Sequence, residues 1–129
     1  MQNLTKKSLL IIEPSQYSGD FVKEIGHGIP EIDVFDAKNG NNGLEHKGKL
    51  PDAILTEFAE ITFELLRDMI KLGVNPNNII LLTSDSITEL KRDHLKELSE
   101  FHISDKNILN KPEDLSVIVD AIKRKLNLV

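Results

Sequence analysis

The chain has no cysteine, no tryptophan and one tyrosine among its 129 residues. Without cysteine there can be no disulfide framework, no thiolate zinc site and no thiol nucleophile. Aromatic residues amount to 5% and no basic block interrupts the sequence. Base stacking and phosphate neutralisation both lack their residues, which argues against nucleic-acid binding. The longest uninterrupted apolar runs, among them Leu9 to Ile12 and Ile79 to Leu82, fall far short of a bilayer span, so no membrane passage is expected. The first residues lack a signal peptide's apolar stretch followed by small residues, and a cytoplasmic protein is expected. The Asn3-Leu4-Thr5 sequon then has no glycan to carry. What the chain does have is 40% hydrophobic and 29% charged residues, with 16 basic against 21 acidic side chains for a formal charge of −5. That composition suits one domain, residues 1–129, large enough to bury a core.

The apolar residues are arranged in two alternating kinds of segment. Ser8 to Ile12, Ala53 to Thr56 and Ile79 to Leu82 are short continuous runs of the sort that form strands buried on both faces. Ile32 to Phe35 predicts another strand, and Ile103, Ile108 and Leu109 a short fifth one. Between them, apolar residues recur at helical spacing. Tyr17, Phe21, Val22 and Ile25 predict a first helix closed by Gly26. The Asn39 to Gly43 turn leads into a short helix around Leu44 to Lys47. Ile61, Leu65, Met69 and Leu72 predict the inward face of a helix ending at Gly73. Ser86 and Glu89, three apart, form a capping-box pattern opening a helix with the stripe Ile87, Leu90, His94, Leu98 and Phe101. A last helix begins at Pro112 and turns Leu115, Ile118, Val119, Ile122 and Leu126 inward.

Five strands alternating with five helices predict a doubly wound parallel sheet, an α/β fold of (βα)5 form. In such sheets chemistry gathers at the carboxyl ends of the strands, near the point where strand order reverses. The residues to examine are therefore Glu13, Glu57, Thr83 with Ser84, and Lys111.

Those strand-end positions sit in the pieces LLIIEPS, DAKNGNNGLE, LPDAILTEF, NIILLTSDS and NILNKP, whose order and spacing along the whole chain resemble the receiver domain of two-component response regulators. The resemblance implies a single-domain, flavodoxin-like fold. It also implies a site in which two acids after the first strand and an Asp ending the third hold Mg²⁺. That Asp accepts a phosphoryl group, whose oxygens contact a Thr or Ser after the fourth strand and a Lys before Pro after the fifth. Here Thr83 and the Lys111-Pro112 pair match, but the acceptor position is Glu57 and the acidic pair is Glu13-Pro14. The aromatic switch residue of the family, three positions before the Lys, is Ile108. The resemblance therefore implies a degenerate receiver: Mg²⁺ binding is expected to be weak or absent, with Glu13 and Glu57 the candidate ligands left, and no catalytic residue is expected.

Each of these residues has a plainer reading beside the functional one. Glu57 is either a fixed stand-in for a phosphorylated Asp or one half of an ion pair with Lys111 that closes an acidic cleft. Glu13 reads as a second counter-charge to Lys111 more readily than as a metal ligand. Thr83 is a phosphate-contact position or a strand-end residue that helps cap the next helix. His94 reads as a packed core-edge residue, while His27, His46 and His102 read as solvent positions with no partner at a metal or triad spacing. The expected function is a pseudo-receiver that docks another signalling protein, or itself, through the last two helices and the fifth strand, residues 87–101, 103–109 and 112–126. An active phosphoryl-accepting regulator and a flavodoxin-like small-ligand binder are the alternatives.

Overall fold

The computed structural model describes residues 7–12, 18–36, 50–57, 60–83, 85–110 and 115–128. Five strands, β1 (Ser8–Ile12), β2 (Asp33–Asp36), β3 (Ala53–Glu57), β4 (Ile79–Thr83) and β5 (Ile108–Asn110), form one sheet in the order β2-β1-β3-β4-β5. Every neighbouring pair is parallel. Four helices accompany it among the described residues: α1 (Ser18–Gly28), α2 (Glu60–Leu72), α3 (Ile87–Glu100) and α4 (Leu115–Lys125). The helix expected around Leu44 to Lys47 lies outside those residues, as do His46 and Pro112.

Continuous apolar runs became central strands because both of their faces are covered. β1 and β4 are buried at every position. Alternate side chains divide between two cores. Leu10, Ile12, Ile54, Ile79 and Leu81 pack with α2 and α3, through Leu66, Met69, Leu90 and Phe101. Leu9, Ile11, Leu55, Ile80 and Leu82 pack on the other side with α1 and α4, through Ile25, Ile118 and Ile122. The sheet is thus doubly wound, the flavodoxin-like α/β architecture that the alternation predicts.

The structure corrects several boundaries and faces. α1 runs through Gly26 to Gly28, so Gly26 is no cap. β2 begins one residue later than expected, after a buried Ile32, and Ile103 is a buried residue ahead of the 3₁₀ turn Asp105–Asn107 rather than part of β5. The core face of α2 is Phe63, Leu66 and Met69, and Leu72 is 54% exposed. Leu115, expected to face inward, is 37% exposed at the start of α4. α3 keeps its predicted stripe and its capping box, Ser86 Oγ accepting from Glu89 N–H at 3.1 Å and Glu89 Oε1 from Ser86 N–H at 3.0 Å. It bends at His94, whose backbone is non-helical at φ −135° and ψ 29°.

Three helices end alike. Gly73, His102 and Asn127 have φ of 117°, 56° and 58°. In each case the next residue's N–H reaches back to a carbonyl of the last turn: Val74 to Met69, Ile103 to Leu98, and Leu128 to Lys123. This left-handed exit satisfies carbonyls that the helix itself leaves open.

Gly28, at the end of α1, packs directly against Val119 of α4. A Cβ added there would lie 2.9 Å from Val119 Cγ2, inside contact distance. Gly28→Ala is therefore expected to lose about 1–3 kcal/mol of stability in a urea titration. Adding Val119→Ala should return part of that loss, because the clash is with that one side chain; equal losses with and without it would show that the strain lies elsewhere.

Candidate functional site

Strand order reverses between β1 and β3, and the carboxyl ends of β1, β3, β4 and β5 surround that point. Two of the predicted residues stand there. Glu57 is the last residue of β3, half-buried, in register with Leu82 of β4. Thr83 ends β4 one residue further, buried, in register with Asn110 of β5. By strand alternation Glu57 continues the α1 and α4 side of the sheet, and Thr83 the α2 and α3 side. Glu13, Pro14 and Lys111, and with Lys111 the pairing expected of Glu57, lie outside the described residues.

The turn beyond β4 is held by side chains at both ends. Thr83 Oγ1 accepts from Asp85 N–H at 3.0 Å, which leaves the hydroxyl proton of Thr83 available to donate. Asn110 Nδ2 donates to Asp85 O at 2.6 Å, tying the same turn to β5. Ser86 then caps α3, and its backbone N–H is the first cause holding the Glu89 carboxyl below its ordinary pKa. Thr56, buried before Glu57, donates its hydroxyl to Glu57 O at 2.9 Å. Thr83 thus takes part in the turn leading to α3, while the helix cap itself is Ser86.

Ile108, the switch position, opens β5 opposite Leu81 and is buried in the core shared with α2 and α3. Its aliphatic side chain is packing material at that position. Among the described residues no three histidine, aspartate or glutamate side chains gather in a group that could hold a metal ion. His94 is half-buried, its ring edge-on to Phe63 at 5.7 Å and its Nδ1 3.6 Å from Glu97 Oε1, which is the packed position expected of it. His27 and His102 are exposed.

Sequence reasoning missed Asn110, because nothing local says that a carboxamide on one strand will bind a turn 25 residues away. It also missed Asn107. That side chain is buried; its Nδ2 donates to Asn77 O at 3.1 Å, joining the turn before β5 to the turn before β4. Asn107 Oδ1 has no hydrogen-bond partner among the described residues.

No family model matches the chain, and no curated protein matches it in sequence. Solved structures do match in fold. The signal receiver domain of a DNA-binding response regulator from Colwellia psychrerythraea is 18% identical, with 94% of this chain and 98% of that one covered and a TM-score of 0.66. The Thermotoga maritima response regulator DrrB, an OmpR/PhoB homologue, is 17% identical over 96% of this chain and 54% of that one, with a TM-score of 0.67. An adenylate cyclase from Rhodopirellula baltica is 15% identical over 95% and 88%, with a TM-score of 0.64. The chain therefore has the fold of response-regulator receiver domains, a fold also found in a structure described as a cyclase. No helix among the described residues is long and apolar enough to cross a membrane.

Proposed function

We propose that the chain is an atypical receiver domain that takes no phosphoryl group and works as a cytoplasmic protein-interaction module in bacterial-type signal transduction. The observation that carries this reading is Glu57, which occupies the end of β3 beside the reversal of strand order where a phosphorylated receiver has Asp. In-line transfer needs a carboxylate oxygen about 3–3.5 Å from phosphorus beside a seated ion. One additional methylene moves that oxygen by about an ångström or more. With Pro14 in place of a metal-binding acid, Mg²⁺ is held weakly or not at all, and Glu57 and Glu13 act as counter-charges to Lys111. The module has no catalytic residue of its own.

Output then comes from docking another signalling protein, or a second copy, on α3, β5 and α4. Exposed apolar residues on these helices, Leu95 at 59% and Val117 at 40%, support that surface. The fold shared with response regulators supports the signalling setting. With Ile108 packed in the core, docking is independent of any event at the strand ends. A phosphoryl-accepting receiver is the second reading, favoured by Thr83, which ends β4 and whose hydroxyl, accepting from Asp85 N–H, keeps a proton to donate. A flavodoxin-like small-ligand site at the same strand ends is the third, and no contact described above favours it.

Incubating the protein with acetyl phosphate and millimolar Mg²⁺ decides between the first two. No added phosphoryl mass is expected by intact-mass spectrometry. Stoichiometric labelling, lost in Glu57→Gln, would overturn the unphosphorylated reading.

A further inference from the structure

Several cations on α3 and α4 are already paired: Lys91 Nζ lies 2.8 Å from Asp105 Oδ2, Arg92 Nε 2.9 Å from Asp93 Oδ1, and Arg124 Nε 3.1 Å from Asp120 Oδ2. Lys106 and Lys125 are not paired in this way. Lys106, in the 3₁₀ turn before β5, and Lys125, in the last turn of α4, line a groove of about 400 Å³ between that turn and the helix. Val117 and Ala121 form its apolar wall, Asn107 lies at its base, and the Arg124–Asp120 pair completes its lining. Burial first, and the nearby Lys106 second, push the Lys125 ammonium below its ordinary pKa. No acid among the described residues pairs with either lysine. In a chain of net charge −5 this groove is a local inversion of sign.

We propose that the groove docks an acidic, amphipathic segment of a partner protein, with carboxylates settling on Lys106 and Lys125 and an apolar side chain covering Val117 and Ala121. This rests on the protein-interaction reading above and adds the chemistry of the partner. A bare anion or a phosphodiester chain would meet the two lysines but leave the apolar wall in water. A second copy of this chain brings an overall charge of the same sign, so the complementary occupant is a short acidic stretch with apolar residues interleaved. Charges on the rim of such a site mainly set the association rate and its salt dependence, while the apolar contact sets the lifetime. The groove lies at the amino-terminal end of β5, away from Thr83 and Asn110 at the carboxyl ends, which suits binding that the strand-end residues do not control.

The test is a selection of random dodecapeptides on phage against the immobilised full chain. Enriched peptides are expected to be net negative with interleaved apolar residues. A synthetic copy of the best one should bind Lys106→Gln/Lys125→Gln at least about tenfold more weakly than wild type, and wild type itself more weakly in about 0.5 M salt. Glu57→Gln should bind it as wild type does. Both variants are checked for fold by circular dichroism, and glutamine keeps much of each lysine's stem. No enrichment, enrichment of neutral or basic peptides, or undiminished binding to the double variant each overturns the proposal. Phosphoryl uptake from acetyl phosphate would overturn the preceding reading without altering these outcomes, so the two failures are told apart.

Discussion

Replacing Phe101 with alanine is expected to remove about 3–5 kcal/mol of folding stability, a large part of the roughly 5–15 kcal/mol that a small domain has. Phe101 is 1% exposed and ends α3, its N–H reaching Glu97 O at 2.9 Å. Its ring lies 6.0 Å from that of Phe63 on α2, and the Arg67 guanidinium covers it with Cζ 5.6 Å from the ring centroid. Arg67 is held in place by a fork onto Glu100, Nε to Oε2 at 2.7 Å and Nη2 to Oε1 at 3.1 Å. The substitution opens a cavity between two helices and leaves the guanidinium without the ring beneath it. A urea titration followed by far-ultraviolet circular dichroism measures the loss, and a value below about 1 kcal/mol would show that α3 does not depend on this anchor. The fork has its own pH signature. Hydrogen bonding to Arg67 is the first cause holding the Glu100 carboxyl below its ordinary value of 4.5. Its contribution is therefore complete above that value and is lost as the pH falls through the lowered one.

On the unphosphorylated reading, placing aspartate at both positions, Glu57→Asp with Pro14→Asp, is expected to give a chain that takes up a phosphoryl group from acetyl phosphate where the wild type does not. Either change alone should leave labelling near background. Glu57→Asp draws the acceptor oxygen back to the reach of an aspartate but leaves the ion a ligand short, while Pro14→Asp supplies the ligand beside an acceptor that is too long. A misplacement of about an ångström costs on the order of a hundredfold in such a step, so the double variant should exceed either single one by about that factor in labelling rate. Labelling of Glu57→Asp alone at the double variant's rate would show that Pro14 is immaterial and that the acceptor length was the whole defect.

How much of this was legible beforehand depended on whether the signal was local. β1, β3 and β4 were readable because a strand buried on both faces must be apolar at nearly every position. The core face of α2 was not. Ile61, Phe63, Leu65, Leu66, Met69, Ile70 and Leu72 leave apolar residues around most of the helix, so periodicity admits more than one stripe, and the structure buries Phe63 and Leu66 while leaving Leu72 in water. The capping box of α3 was readable from two residues three apart. The fork of Arg67 on Glu100 was not, since it joins residues 33 apart. At the strand ends the positions of Glu57 and Thr83 followed from counting strands. The contact of Asn110 with the turn after β4 could be found only once β4 and β5 were known to be neighbours.

The strand order also fixes how the chain must assemble. Ser8 pairs with Asp33, Leu9 with Ala53, Ile54 with Ile79 and Leu81 with Ile108, and no two strands are joined by a hairpin. Every pairing in the sheet therefore closes a loop of roughly 25 residues or more, and the chain loses that entropy before any ladder rewards it. β1, the first strand in sequence, acquires its second neighbour only when β3 arrives, so the centre of the sheet is completed by a long-range event. Folding should accordingly follow the millisecond-to-second regime of non-local topologies rather than the microsecond regime of helical bundles. Until β3 docks, the apolar side chains of β1 remain partly uncovered, and in that interval the chain is most open to association with other unfolded copies.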